Sequence, residues 1–387
     1  MSALSASNRL PAGSASPLRG LGQRASSSPR RRTCTVFLLP WLLLAASSLG
    51  EAQESDNSIN LHHLTLAADG RTAGYTVDAA RTLRAGEVHL GASFSHAQRP
   101  LELGRPGDRR RHALVHQLTV LDLYGAVGIL DGLSFGASLP VVLDNDGHEL
   151  LDPTSDTRSG GVGALRVQLK WAFFDTRRGG QPPEGSQAKA ALAEAEGAND
   201  APQDAVERGG TAKAPLWESA LALQAFATFH TGRPRDYLSD NESPTVGITL
   251  LATFRLWRFR VGTEFGYEQF TGGSIDIGDL EIENRLRFGA SLLFEVLRPD
   301  RPGAAAGQGG EGGTGRHDLA MGGEVFGWAD ASRPFHNERE RPIEALGVVA
   351  YRHRGLGFAV RIAAGGALNN GIGAPDVRYL ASLGWTF

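Results

Sequence analysis

Four groups of side chains in this 387-residue chain are of types that do chemistry. His89 and Ser93 share the polar face of one strand-like stretch and His116 lies on the next, so a Ser-His pair is conceivable. Spacing alone does not make an enzyme, because a nucleophile, a base and an orienting group must meet within hydrogen-bond reach. Asp144, Asn145, Asp146, Gly147, His148 and Glu149 resemble part of a calcium loop, but Val142 and Pro153 stand where acids are needed, so a polar surface turn is expected. His62 and His63 are the one adjacent pair in the N-terminal segment; neighbours on a strand point to opposite faces, and both are read as surface residues. The fourth group is larger. Arg166, Gln168 and Lys170 oppose an apolar face, and so do Arg260, Glu264 and Glu268, then Glu281, Glu283, Arg285 and Arg287, and finally Arg361 and Arg378.

These charges need strands to position them, and the end of the chain is where strand patterning is clearest. Val377, Tyr379, Ala381, Leu383, Trp385 and Phe387 fall on one face of the last eleven residues; Arg378, Ser382, Gly384 and Thr386 fall on the other, with Leu380 as an exception. An exposed aromatic edge invites pairing with other chains. A membrane barrel places that face in lipid and closes the edge on its first strand. Fifty glycines, two methionines and one cysteine suit an all-β chain with many turns. No internal apolar run approaches the ~20 residues of a membrane helix, which excludes a helical membrane protein but not a barrel.

Arg30, Arg31 and Arg32 precede the apolar run Thr33 to Leu44, and Gly50-Glu51-Ala52 supplies small residues for cleavage. Residues 1–52 are therefore expected to be a signal peptide removed before Gln53, against the alternative of a retained signal anchor. The stretch before the arginines is long for such a peptide, which leaves a translation start downstream of Met1 open. Cys34 is the only thiol, so disulfides, cysteine catalysis and cysteine metal sites are excluded after it, and no lipid-anchoring cysteine follows the apolar run. Residues 1–52 carry six arginines and one glutamate, so the remainder has a formal charge of −8, which argues against nucleic acid as a partner.

Residues 53–86 read as a periplasmic N-terminal segment and 87–387 as the barrel. From Gly86 the period is two, beginning with Val88, Leu90, Ala92 and Phe94, and strands follow near 115–129, 133–142, 161–174, 217–231, 246–254, 259–267, 280–294, 318–328, 343–351, 356–364 and 377–387. Arg99-Pro100 is expected to end the first strand, and Arg255 to Arg258 to form a turn. Asn284, the one polar residue in an apolar series, is expected near an interface. Residues 175–215 and 298–316 lose all period and read as low-complexity insertions. The prediction is an antiparallel transmembrane β-barrel of about 12 strands, with both termini on one side.

The residues that carry a family likeness are Arg99-Pro100-Leu101, Val120 to Gly128 (VLDLYGAVG), Leu133 to Val142 with Leu139-Pro140-Val141, Gly161 to Trp171, and Phe229-His230-Thr231-Gly232. By these, the region from Tyr75 to Phe174 resembles the N-terminal barrels of some OmpA-family proteins of Gram-negative bacteria, and the chain's last residues resemble the C-terminal signature of outer-membrane barrels. The resemblance implies export to the outer membrane, with lipid and lipopolysaccharide around the barrel. Tyr379, Leu383, Trp385 and Phe387 would be read by the barrel-assembly machinery. Chemistry is not implied, and a peptidoglycan-binding domain has no place before Phe387. The expected function is a structural barrel with a plugged lumen; the alternative is a narrow passive channel for small hydrophilic solutes. An outer-membrane hydrolase and a secreted β-sandwich are the readings from other classes. No catalytic residue, cofactor or metal is expected; the charges named above are expected to line the lumen.

Overall fold

The computed structural model describes residues 62, 64–103, 112–147, 160–176, 217–229, 231, 244–271, 275–277, 280–282, 284–297, 317–334, 341–369 and 371–387. The expected signal peptide, both low-complexity insertions almost entirely, His63, His148, Glu149 and Glu283 lie outside them.

Twelve antiparallel strands form a closed barrel: β1 (Val88–Leu103), β2 (His112–Leu130), β3 (Leu133–Gly147), β4 (Leu165–Asp175), β5 (Trp217–Phe229), β6 (Thr245–Leu256), β7 (Phe259–Phe270), β8 (Arg285–Leu297), β9 (His317–Asp330), β10 (Ile343–His353), β11 (Phe358–Ala367) and β12 (Val377–Thr386). Each pairs with its sequence neighbours, and β12 pairs with β1 from His89↔Thr386 to Gln98↔Val377. Closure leaves no exposed edge, which answers the difficulty the terminal strand raised. Gly161–Val162 adds a short pairing to β3. A small hairpin, Ile275–Ile277 with Leu280–Ile282, stands apart from the barrel sheet.

Several boundaries differ from the sequence reading, each for a local reason. β1 does not end at Arg99-Pro100: Arg99 takes φ 50°, the register shifts between Gln98 and Leu101, and the strand continues to Leu103. A bulge absorbs the proline's missing donor. β3 likewise runs through Asp144, Asn145 and Asp146, so these belong to a strand rather than a turn. The β6–β7 turn is only Trp257-Arg258, with Trp257 at φ 54°, and Arg255 stays in the strand. Asn284 precedes β8 and accepts from the Phe270 backbone N–H at 3.3 Å, at the strand's start rather than within it.

The alternation separates two faces. Outward residues are apolar and exposed, among them Leu90, Phe94, Leu169, Phe173, Leu250, Phe265, Leu292 and Tyr379. Four of the five described tryptophans, Trp171, Trp217, Trp257 and Trp385, stand exposed at the end of the barrel where the short turns lie. Inward residues are polar or charged and buried, including Arg378, Lys170, Glu295 and Glu344 at 0–2% exposure. This polarity is the inverse of a water-soluble β-sandwich.

Inside the barrel lies the N-terminal segment. Ala68, Ala73, Tyr75, Val77, Ala80 and Leu83 are each 0% exposed. The reading of residues 53–86 as a segment outside the barrel is therefore corrected for the described part, 62 and 64–86. That segment forms a tight loop, with Thr72 bridged to Asp78 and the Ala79 N–H donating to the Arg71 carbonyl at 3.0 Å. Gly74 sits at its tip because a Cβ there would stand 2.1 Å from a Glu324 carboxylate oxygen. The segment leaves the lumen over β2, where Gly128 exchanges hydrogen bonds with Gly86 and Glu87 at 2.8 and 2.9 Å.

Candidate functional site

The site is the lumen, and inward charges of the wall hold the plug in it. Lys170 on β4 is the most buried cation of that contact. Its ammonium lies 2.6 Å from Asp78 and 2.8 Å from Asp69, both on the plug, and donates to the Ala79 carbonyl at 3.1 Å. Gln224 on β5 donates to the second Asp78 oxygen at 3.1 Å. Burial pushes the Asp78 carboxyl up, Lys170 draws it down, and the neighbouring Asp69 charge pushes it up again. A buried cation with two anions and further acceptors is the arrangement in which such charges are tolerated.

Across the lumen, Glu324 on β9 accepts from the backbone N–H groups of Tyr75 and Thr76 at 2.7 and 3.1 Å and from the Thr76 hydroxyl at 3.1 Å. Glu264 on β7 accepts from the Asp78 N–H at 3.1 Å, and Thr253 on β6 from the Ala80 N–H at 2.9 Å. Arg361 donates to the Gly70 carbonyl and Arg287 to the Thr65 hydroxyl. The plug's backbone polar groups are thus satisfied by wall side chains, as burial requires. An apolar layer completes the contact: Leu64, Leu66, Tyr75 and Leu83 pack with the inward residues Leu293, Phe326, Leu346 and Leu380. Leu380, the exception in the terminal strand, meets the plug.

The wall also pairs its own charges. Arg378 grips Glu344 with two hydrogen bonds of 2.7 and 3.0 Å. Arg260 and Arg255 share Glu295, the former at 2.9 Å. The Arg166 guanidinium lies 3.5 Å over the Phe226 ring, and Arg285 lies between Phe270 and Trp328 at 4.7 and 4.4 Å. Gln168, Glu268 and Arg285 are buried. Of the lumen residues expected from sequence, Glu281 is the exception in backbone position, since it belongs to the separate hairpin rather than to β8. Sequence reading passed over Arg255, Glu295, Glu324, Glu344 and Asp122. Glu295 continues the alternation of Arg285, Arg287 and Ser291 four residues further on, and Arg255 adjoins a turn that is shorter than its sequence suggests.

The other residues of chemical interest are engaged elsewhere. Ser93 hydrogen-bonds the Tyr75 hydroxyl at 2.7 Å, and His89 bonds Thr386 at 3.0 Å while stacking on Tyr124. His116 is exposed near the start of β2, at a register shift, away from the buried His89 and Ser93. His62 is not a surface residue: it is buried, with Nε2 at 3.0 and 3.1 Å from the two Asp122 oxygens. Asp144 accepts from the Gln117 side chain at 2.9 Å. Among the described residues no three His, Cys, Asp or Glu side chains are placed to hold a metal ion.

Two cavities flank the plug. One, of about 100 Å³, is lined by His62, Thr65, Arg285 and Glu344, and the other, of about 130 Å³, by Arg71, Arg260, Arg352 and Asp318.

No protein-family model matches the chain, and no curated protein matches it. Among solved structures it is similar to an outer membrane channel from Pseudomonas putida F1, at 13% identity and TM-score 0.46, covering 80% of this chain and 98% of that one. It is also similar to the NanC porin, at 8% identity and TM-score 0.38 over 78% and 98% of the two chains. A third likeness is to the Pseudomonas putida toluene transporter TodX, at 10% identity and TM-score 0.35 over 85% and 98%. All three TM-scores are below 0.5, so the functional reading rests on this chain's own strand order and side chains.

Proposed function

We propose that the chain is an outer-membrane β-barrel of structural type whose lumen its own N-terminal segment closes. The observation that carries this is the pairing of two opposite faces in one closed sheet: exposed apolar side chains outside, and buried charges inside that bond the plug. An outward apolar band with aromatic residues at its border suits lipid, and the exposed tryptophans at the turn end supply such a border. Export through a signal peptide in residues 1–52, the assembly role of Tyr379, Leu383, Trp385 and Phe387, and contact with lipid and lipopolysaccharide belong to this proposal. The likeness of residues 75–174 to OmpA-family barrels agrees with it in kind, although Tyr75 to Gly86 lie in or beside the plug and not in a strand.

A second reading, a narrow passive channel for small hydrophilic solutes, is favoured by the two charged cavities, because the plug then separates two polar vestibules. Ser93 has its hydrogen bond to Tyr75, which speaks against the hydrolase reading. The test is fractionation followed by gel migration with and without boiling. A membrane-associated band that shifts on heating is expected. A soluble band with no shift would overturn the proposal.

A further inference from the structure

The larger cavity, at the turn end of the lumen, is enclosed by arginines in excess of their counter-charges. The plug contributes Arg71 and Arg81, and the wall Arg255, Arg260, Arg352 and Arg361. Arg354 stands at the rim, 47% exposed, and Asp318 is the only carboxylate among the described lining residues. The partners of the first four are accounted for: Glu87 takes Arg71, Asp175 and Glu218 take Arg81, and Glu295 takes Arg255 and Arg260. Asp318 faces Arg352 across the β9–β10 ladder, yet its carboxylate stands at 3.9 Å from Arg260 and 3.7 Å from Arg354. Arg352 and Arg361 have no ion-pair partner among the described residues, and Arg361 hydrogen-bonds the Gly70 carbonyl and the Tyr124 hydroxyl, both uncharged.

The two unmatched cations are neighbours. Arg352 pairs with Ala359 and Ala350 with Arg361, which sets the arginines diagonally on one inward face, roughly 7–8 Å apart at the backbone. Like charges so placed repel, and the cost grows as water is excluded. Ala320, Ala350 and Ala359 line the same cavity, so the space beside the guanidinium groups is left open rather than filled. A guanidinium fork matches the oxygens of a phosphate group and keeps its charge at any working pH.

We propose that this cavity binds a soluble tetrahedral oxyanion, phosphate as the free ion or as the terminal group of a small phosphorylated solute. The lining residues face the lumen, which favours a solute over a lipid headgroup. The site needs the plug in the barrel, as the proposed function does, but not a membrane or a conducting state, so the heat-shifted band reports the barrel independently of anion binding.

The experiment is calorimetric titration of inorganic phosphate into the full chain in detergent, with sodium chloride at matched ionic strength as the reference. Arg352→Met removes one unmatched cation without breaking an ion pair seen among the described residues. Arg258→Met, on the exposed β6–β7 turn and outside the cavity, controls for loss of charge. Saturable one-to-one binding is expected, weakened roughly tenfold in Arg352→Met and unchanged in Arg258→Met, with the heat shift kept in both. No saturable binding to a heat-shifting wild-type protein would overturn the proposal. So would equal affinity in wild type and Arg352→Met, or an equal loss in both variants.

Discussion

Lys170 is the residue on which the plug's position most depends. Its ammonium is 1% exposed and lies within 2.8 Å of two plug carboxylates. Lys170→Met leaves Asp69 and Asp78 buried without their cation, a loss of about 3–5 kcal/mol where a buried pair is broken. The expected outcome is a clear drop in the temperature at which the gel band shifts; an unchanged temperature would mean that the pair contributes nothing to the folded barrel. Tyr75→Phe removes only the neutral hydrogen bonds of its hydroxyl, to Ser93 and Ser382, and should cost about 2 kcal/mol, read as a smaller displacement of the same transition. The inward direction of these residues follows from strand alternation, so Lys170 and Arg378 could be marked from sequence. Their partners could not: Asp69, Asp78 and Glu344 lie 101, 92 and 34 residues away from them, and only the folded chain joins them.

At the scale of elements, the twelve strands were legible because each carries a period of two over most of its length. What misled was punctuation. Arg99-Pro100 reads as a strand end but is a bulge, and Asp144 to Gly147 reads as a loop but pairs with β2. The plug was hidden for a different reason: Leu64 to Leu83 has no strand period, because its partners lie on many strands instead of two. A trace of it was present in the inward apolar residues Leu293, Leu346 and Leu380, which are out of place in a water-filled lumen and need an apolar partner. The exit of the plug is correspondingly tight. A Cβ at Gly128 would stand 1.9 Å from the Arg84 carbonyl oxygen, a backbone atom that cannot swing aside. Gly128→Val is therefore expected to loosen the segment, so that trypsin cuts after Arg81 or Arg84 faster than in the parent protein. Equal resistance would contradict the close packing at that point.

At the scale of the molecule, the barrel's outer surface sets where it can reside. Trp171, Trp217, Trp257 and Trp385 are 39–59% exposed at one end of the barrel. In bilayers their fluorescence is expected to be quenched by lipids brominated near the headgroup, as an interfacial aromatic border would be. Emission unaffected by brominated lipid would place those residues in water.

The central claim is that residues of the chain's own N-terminal segment close the lumen, and single-channel recording in planar bilayers tests it most directly. The full chain should show no steady conductance, while a chain lacking residues 62–83, with a heat-shifted band to certify its barrel, should open in discrete steps. Steady steps of equal size from both proteins would contradict the claim.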